Sequence, residues 1–167
     1  MRKLTRLLLV ATLLFGCVGC DQATKNYART QLSPGISSSY MRDTVRIIYA
    51  ENVGAFVSVG ESFPKPVRTA MFQGVVGLIV IGLLVAALSW RGLTKPQVVA
   101  FVLIAANGLG NLIDRLVYDG RVTDFLNLGI GALRTGIFNV ADIFGVVGVI
   151  LLLLHRVGTP PNNPVER

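Results

Sequence analysis

Asp142 is the residue whose setting most needs a chemical explanation. It sits in the first third of an apolar run, Gly136-Ile-Phe-Asn139-Val-Ala-Asp142-Ile-Phe-Gly-Val-Val-Gly-Val-Ile-Leu-Leu-Leu-Leu-His155, which reads as a membrane-crossing helix. An ionised carboxylate inside a bilayer costs about 2.5–3.5 kcal/mol on insertion scales, so it calls for a partner, a shared proton or a polar cavity. Asn139, three residues earlier, falls on the same helical face. Asp124, in Val122-Thr-Asp124-Phe-Leu just before the run, is the upstream acid that could meet it. Two carboxylates brought together share one proton and titrate with split apparent pKa values, leaving one group a base and the other an acid. Such a pair can drive water onto a carbonyl with no metal or other cofactor.

A second polar stripe points to the same place. Asn107, Asn111 and Asp114 recur at i, i+4 and i+7, while Gly108 and Gly110 thin the neighbouring faces and Arg115 follows at the expected water boundary. Amides within a membrane span must find partners, so this face should point into a helix bundle. Plain interhelical glue would explain the stripe alone. The convergence of Arg115, Asp124, Asn139 and Asp142 near one end favours a site instead.

The elements that must position these residues follow from hydropathy. Of 167 residues, 52% are apolar and only 15% charged, well under the roughly 25% of a soluble domain. Apolar segments at about 4–20, 69–90, 97–113 and 136–155 approach the ~20 residues needed to cross ~30 Å of hydrocarbon. The expected fold is thus a four-helix membrane bundle, all-α but for a small β element, forming one integral-membrane domain over 1–167. In the second span only Gln73 is a sizeable polar group, and Gly74, Gly77 and Gly82 are expected to admit a neighbouring helix. The β element is expected at about 40–66. Thr44-Val-Arg-Ile-Ile-Tyr49 is β-rich, and Asn52-Val-Gly54-Ala-Phe56-Val-Ser-Val reads as a second extended run, the two lying on the membrane surface with Phe56 and Val57 toward lipid. Asn52 reads equally well as a turn residue. Asp21 and Lys25 form an i,i+4 pair past the first span, worth about 0.2–0.5 kcal/mol as an exposed helix end.

The net charge of +7 comes from dispersed bases and points to anionic headgroups rather than nucleic acid. With both termini on the cytoplasmic side, the inner segments hold seven bases in about 24 residues and the outer ones nine in about 70. Density in the short flanks therefore favours termini inside and the carboxylates outside. The start, Met1-Arg-Lys-Leu-Thr-Arg6 with an apolar run to Gly16-Cys17-Val-Gly-Cys20, looks like a lipoprotein signal. Three further spans follow it, and neither cysteine has a good acylation context, so a retained span is expected. Two cysteines and one histidine do not suggest a zinc enzyme.

Five stretches then resemble one family in order: Asp21-Gln-Ala-Thr-Lys25, Asn52-Val-Gly54-Ala-Phe56, Gly110-Asn-Leu-Ile-Asp-Arg115, Val122-Thr-Asp124-Phe and Phe138-Asn-Val-Ala-Asp142. They look like signal peptidase II, the lipoprotein signal peptidases of bacterial inner membranes, over roughly residues 4–156. The resemblance implies an aspartic endopeptidase that cuts prolipoproteins just before a cysteine already carrying diacylglycerol. It implies Asp124 and Asp142 as the catalytic dyad and Asn111, Arg115 and Asn139 as polar residues of the site. Asn52, in the loop with Gly54, matches a residue contacting the bound peptide, and Asp21 and Lys25 match fold-supporting residues. One departure is visible: only Ala55 separates Gly54 from Phe56, where two small residues are more usual. The expected partners are the lipid-modified prolipoprotein and membrane lipid, with the chain a monomer. The competing reading is a four-span transporter or proton relay with Asp142 as the carrier. Transport would favour polar residues throughout the bilayer, whereas Val146–Leu154 is bare.

Overall fold

The computed structural model of the chain describes residues 2–54 and 62–155. Helix α1 (Lys3–Gln31) runs unbroken through both cysteines and past Lys25. At 1.5 Å per residue its 29 residues reach about 43 Å, so one end projects beyond a ~30 Å hydrocarbon layer. Two strands follow, β1 (Ser37–Tyr40) and β2 (Val45–Asn52). Helix α2 (Lys65–Ser89) opens on Pro64 and Pro66, which suit a first turn lacking N–H acceptors, and widens into a π turn over Ala70–Val75.

Helix α3 (Lys95–Val117) starts with a capping box between Thr94 and Gln97. It ends where Asp119 and Gly120 take positive φ and the Gly120 N–H reaches back to the Arg115 carbonyl. Strands β3 (Val122–Ile130) and β4 (Leu133–Arg134) then lead to helix α4 (Val140–Leu154). The strands form one antiparallel sheet in the order β1-β2-β3-β4. Ala50 faces Asp124 and Asn52 faces Val122 in its register, and Leu126 bridges to Phe138, so the sheet delivers the chain directly to the start of α4.

Helix α3 is the axis of the bundle. Val98, Ala100, Val102, Ala105 and Ala106 along it are wholly or almost wholly buried against α1, α2 and α4. Leu78, Ile81 and Leu153 point outward and are mostly exposed, as lipid-facing side chains of a membrane bundle are. Close approach depends on glycines other than those expected in the second span. A Cβ on Gly74 or Gly82 would meet nothing, and on Gly77 only ordinary contact. A Cβ on Gly145 would collide with the Asn107 side chain, and on Gly110 it would fall 2.6 Å from Asp21 Oδ2. Gly108 and Gly148 are needed as well, against the apolar Val80 and Ile104, so glycine admits both polar groups and apolar ridges between the helices.

Three sequence expectations change. The last apolar helix starts at Val140 rather than Gly136, and its 15 residues span only about 22 Å. Asp142 therefore lies in the first helical turn, not a third of the way along a crossing helix. Among the described residues three helices are long and apolar enough to cross a membrane outright, and α4 is a shorter fourth apolar helix. Finally, the neighbours of β2 are Ser37–Tyr40 and the distant Val122–Ile130. Of the second extended run only 52–54 is described, as the end of β2 and a bend; Phe56 and Val57 lie outside the described residues.

Candidate active site

The first turn of α4 sets the geometry. Asn139 is its N-cap: its Oδ1 accepts from the Asp142 N–H at 3.2 Å, and its own backbone N–H donates to Asp142 Oδ2 at 3.2 Å. This reciprocal box satisfies two backbone donors that a helix start leaves unpaired. A third is met from far away, because the Ala141 N–H donates to Asp21 Oδ1 at 3.0 Å. The Asn139–Asp142 spacing thus reflects a cap, and the Asn lies just outside the helix rather than on its face.

Obligatory donors then fix every amide around the two carboxylates. Lys25 Nζ, which can only donate, approaches Asn111 Oδ1 at 2.8 Å. That turns Asn111 Nδ2 toward Asp142 Oδ1 at 3.1 Å and Asn107 Oδ1 at 3.0 Å. The cap likewise turns Asn139 Nδ2 toward Asp124 Oδ1 at 2.6 Å and Asn111 Oδ1 at 3.1 Å. In the loop after β2 the Gly54 N–H donates to Asn52 Oδ1 at 2.9 Å, and Asn52 Nδ2 donates to Asp124 Oδ2 at 3.0 Å. Each of the four carboxylate oxygens accepts one neutral N–H. Asn139, completely buried, holds both acids at once.

Asp124 is 3% exposed, and burial lifts its carboxyl from the usual range near 4 to about 6. The Asn52 and Asn139 amides oppose that rise and the neighbouring Asp142 adds to it. Burial prevails because neutral amides compensate a charge less than a cation would. Arg115 does not contact either acid. Its Nη2 donates to the Gly54 carbonyl at 2.6 Å and its Nη1 to the Asn111 carbonyl at 3.3 Å, tying the loop to α3. It is 7% exposed, not at the water boundary the sequence suggested.

Behind the acids lies an ion cluster that the sequence reading placed at an exposed helix end. Lys25 and Asp21 are both fully buried. The three Lys25 protons face Asp21 Oδ2 at 2.9 Å, Asp114 Oδ2 at 3.4 Å and Asn111. Asp114 also accepts from Arg29 at 2.8 Å, from Gln22 at 3.1 Å and from the Thr123 N–H at 3.0 Å. Gln22, Arg29 and Thr123 escaped sequence analysis. Arg29 carried a signal, lying one helical turn beyond Lys25 on the same stripe. All nine candidate residues thus fall into one connected network joining α1, β2, β3, α3 and α4. Two cavities reach Asp142. One, of about 260 Å³, is walled by Leu128, Phe138, Ile143 and Val146; the other, of about 280 Å³, by Ile104, Asn107, Gly145 and Val149.

An apolar helix bundle carrying two amide-held carboxylates at one end is the arrangement of a membrane-embedded aspartic peptidase. Residues 13–157 match the family described as signal peptidase (SPase) II. A lipoprotein signal peptidase of Bifidobacterium longum is 33% identical over 158 residues, 88% of this chain and 80% of its own length. One of Streptococcus pneumoniae is 33% identical over 146 residues, covering 87% and 90%. A bacterial membrane enzyme solved by the in meso method superposes with a TM-score of 0.79 at 27% identity, over 95% of this chain and 94% of that one. The chain belongs to the signal peptidase II family, the lipoprotein signal peptidases, which are aspartic peptidases of the membrane. The transporter reading gives way to that membership.

Proposed function

We propose that Asp124 and Asp142 are the catalytic dyad and that Asp124 carries the shared proton. The observation that carries this reading is the single buried amide of Asn139, hydrogen-bonded to Asp124 and capping the turn that holds Asp142. The lifted carboxyl of Asp124 makes it the acid, leaving Asp142 the base. Asp142 takes a proton from water as the water oxygen bonds to the scissile carbonyl carbon, and Asp124 gives its proton to the carbonyl oxygen. The carbon–nitrogen bond then breaks. The proton on Asp142 passes to the leaving amine, and a hydroxyl proton of the intermediate returns to Asp124. Asn111 and Asn139 hold the carboxylates, Asn52 and Gly54 present the loop with Arg115 behind it, and Asp21 and Lys25 fix the start of α4.

The substrate in this reading is a prolipoprotein with a diacylglyceryl-cysteine, cut just before that cysteine. The apolar cavities beside Asp142 support it, since they offer a hydrophobic substrate a seat next to the base. The chain acts as one integral-membrane domain and a monomer, with both termini cytoplasmic and the dyad at the outer face of the bacterial inner membrane. The test is to incubate the purified protein with a diacylglyceryl-modified prolipoprotein, with its unmodified precursor, and with Asp124→Asn and Asp142→Asn beside the parent. Cleavage of the modified substrate by the parent alone is expected. Turnover retained by Asp142→Asn would remove the dyad.

A further inference from the structure

A cavity of about 260 Å³ lies between the start of α2 and the end of α3, and the dyad does not use it. Among the described residues its walls include the cations Lys65, Arg68 and Arg115 and the carboxylate Asp119, with Arg68 Nη1 donating to the Phe63 carbonyl at 3.3 Å. Asp119 is already engaged through both oxygens by Lys65, at 2.7 and 2.9 Å. Arg115 is the unusual member. Although 7% exposed, it bonds only to main-chain carbonyls, its Nε has no hydrogen-bond partner, and its one ring contact is Phe72 at 5.3 Å. Among the described residues no carboxylate lies within ion-pair distance of it. A buried guanidinium with an unmet donor is costly unless an anion completes it.

The flanks of the cavity say what kind of anion. Leu116 lines the cavity, and Met71 and Val75 on α2 and Val117 on α3 are exposed apolar side chains of the same two helices. They continue the lipid-facing surface to the point where both helices end, so the cations begin where acyl chains stop. Apolar rows meeting a cationic recess at a helix end match an amphipathic anion, with chains along the helices and a charged head in the recess.

We infer that this cavity binds the phosphate of an anionic phospholipid, distinct from the substrate, whose head lies among Lys65, Arg68 and Arg115 and whose chains lie along Met71 and Leu116. Occupancy would complete the hydrogen bonding of Arg115 and so stiffen its link to the Gly54 loop. The inference does not depend on the dyad, and its test reads binding without turnover.

The full-length protein in neutral detergent is titrated with phosphatidylglycerol, with dioleoylglycerol as the uncharged lipid, and with inorganic phosphate. Thermal unfolding and native mass spectrometry are the readouts. Phosphatidylglycerol is expected to raise the midpoint saturably with one lipid retained per chain, and dioleoylglycerol is not. The double variant Lys65→Gln/Arg68→Gln is expected to weaken apparent affinity at least tenfold, while Arg42→Gln, at an exposed cation in the turn between β1 and β2, leaves it unchanged. Both single variants are read alongside, so that a poorly folded double variant does not decide the outcome. Equal shifts with the charged and uncharged lipids, or equal losses in Arg42→Gln and the Lys65/Arg68 variants, would overturn the site. A shift with inorganic phosphate as large as with the lipid would overturn the lipid as its occupant.

Discussion

Two acidic clusters sit side by side at the same end of the bundle, and they are held in opposite ways. Asp21 and Asp114 face two cations, Lys25 and Arg29, so that cluster is charge-balanced and every Lys25 proton is used. Asp124 and Asp142 face amides and a backbone N–H, with no cation in contact among the described residues. A cation would hold a carboxyl ionised over the working range, whereas a neutral donor fixes its position and leaves its proton available. The two clusters meet at Asn111, whose carbonyl takes the Lys25 proton and whose amide faces Asp142. The balanced cluster therefore acts on the proposed dyad by orienting an amide, with the Lys25 charge adding a weaker downward pull on the Asp124 carboxyl.

The largest effect should come from the proposed dyad. Asp142→Asn or Asp124→Asn is expected to lower cleavage of lipid-modified substrate by about 10³-fold or more, the loss of a general acid or base together with its shared proton. Asp124→Asn should remain folded by circular dichroism but lose about 1–3 kcal/mol. Its new NH2 must face one of two amide donors whose orientation is fixed, Asn52 or Asn139. The balanced cluster should respond in the other quantity. Lys25→Met leaves Asp21 and Asp114 without their shared cation, and chemical unfolding in detergent is expected to show a loss of about 3–5 kcal/mol. Lys25→Arg should recover part of the stability and less of the activity, because a planar fork does not reproduce three donors aimed at Asp21, Asp114 and Asn111.

The same contrast appears in pH dependence. Asp124 binds its proton more tightly folded than unfolded, so between about pH 4 and 6 the folded state holds more protons and stability falls as pH rises. Two pKa units correspond to at most about 3 kcal/mol, fully present below pH 4 and gone above pH 6. Melting temperatures across pH 4–7 should carry this slope in the parent and lack it in Asp124→Asn. An identical slope in both would show that the Asp124 carboxyl is not the raised group.

Much of this was legible before any coordinates. Hydropathy located the helices, and the Asn107, Asn111, Asp114 stripe does face the site, because both signals are local and periodic. Strand β3 was not legible, since its partner Ala50 lies 74 residues before Asp124 and register is set by the assembled sheet. Burial of Lys25 was equally hidden. An i,i+4 Asp–Lys pair has the same spacing in water as in a core, and only the arrival of Asp114 and Asn111 distinguishes the two. The start of α4 did carry a signal that hydropathy masked. Asn139-x-x-Asp142 after Phe138 has the form of a capping box, which would have placed the aspartate in a first turn instead of inside a crossing helix.

The smallest effect is the most discriminating, because it concerns the amide that reaches Asp124 from the end of β2. Asn52 is anchored by the Gly54 N–H and donates to Asp124 Oδ2, an interaction that opposes the rise of that carboxyl. Removing it in Asn52→Ala should move the Asp124 carboxyl further up. If Asp124 is the acid, its proton is then lost at higher pH, and the basic limb of the kcat/KM profile moves upward. The plateau should fall by only about tenfold, since Asn139 still holds Oδ1 and one neutral hydrogen bond is worth about 1–1.5 kcal/mol. A fall in rate with an unmoved limb would make Asn52 a turn residue that only shapes the loop. A limb moved downward would show that water entering the space left by Asn52 relieves the burial that raises the Asp124 carboxyl by more than the lost donor adds to it.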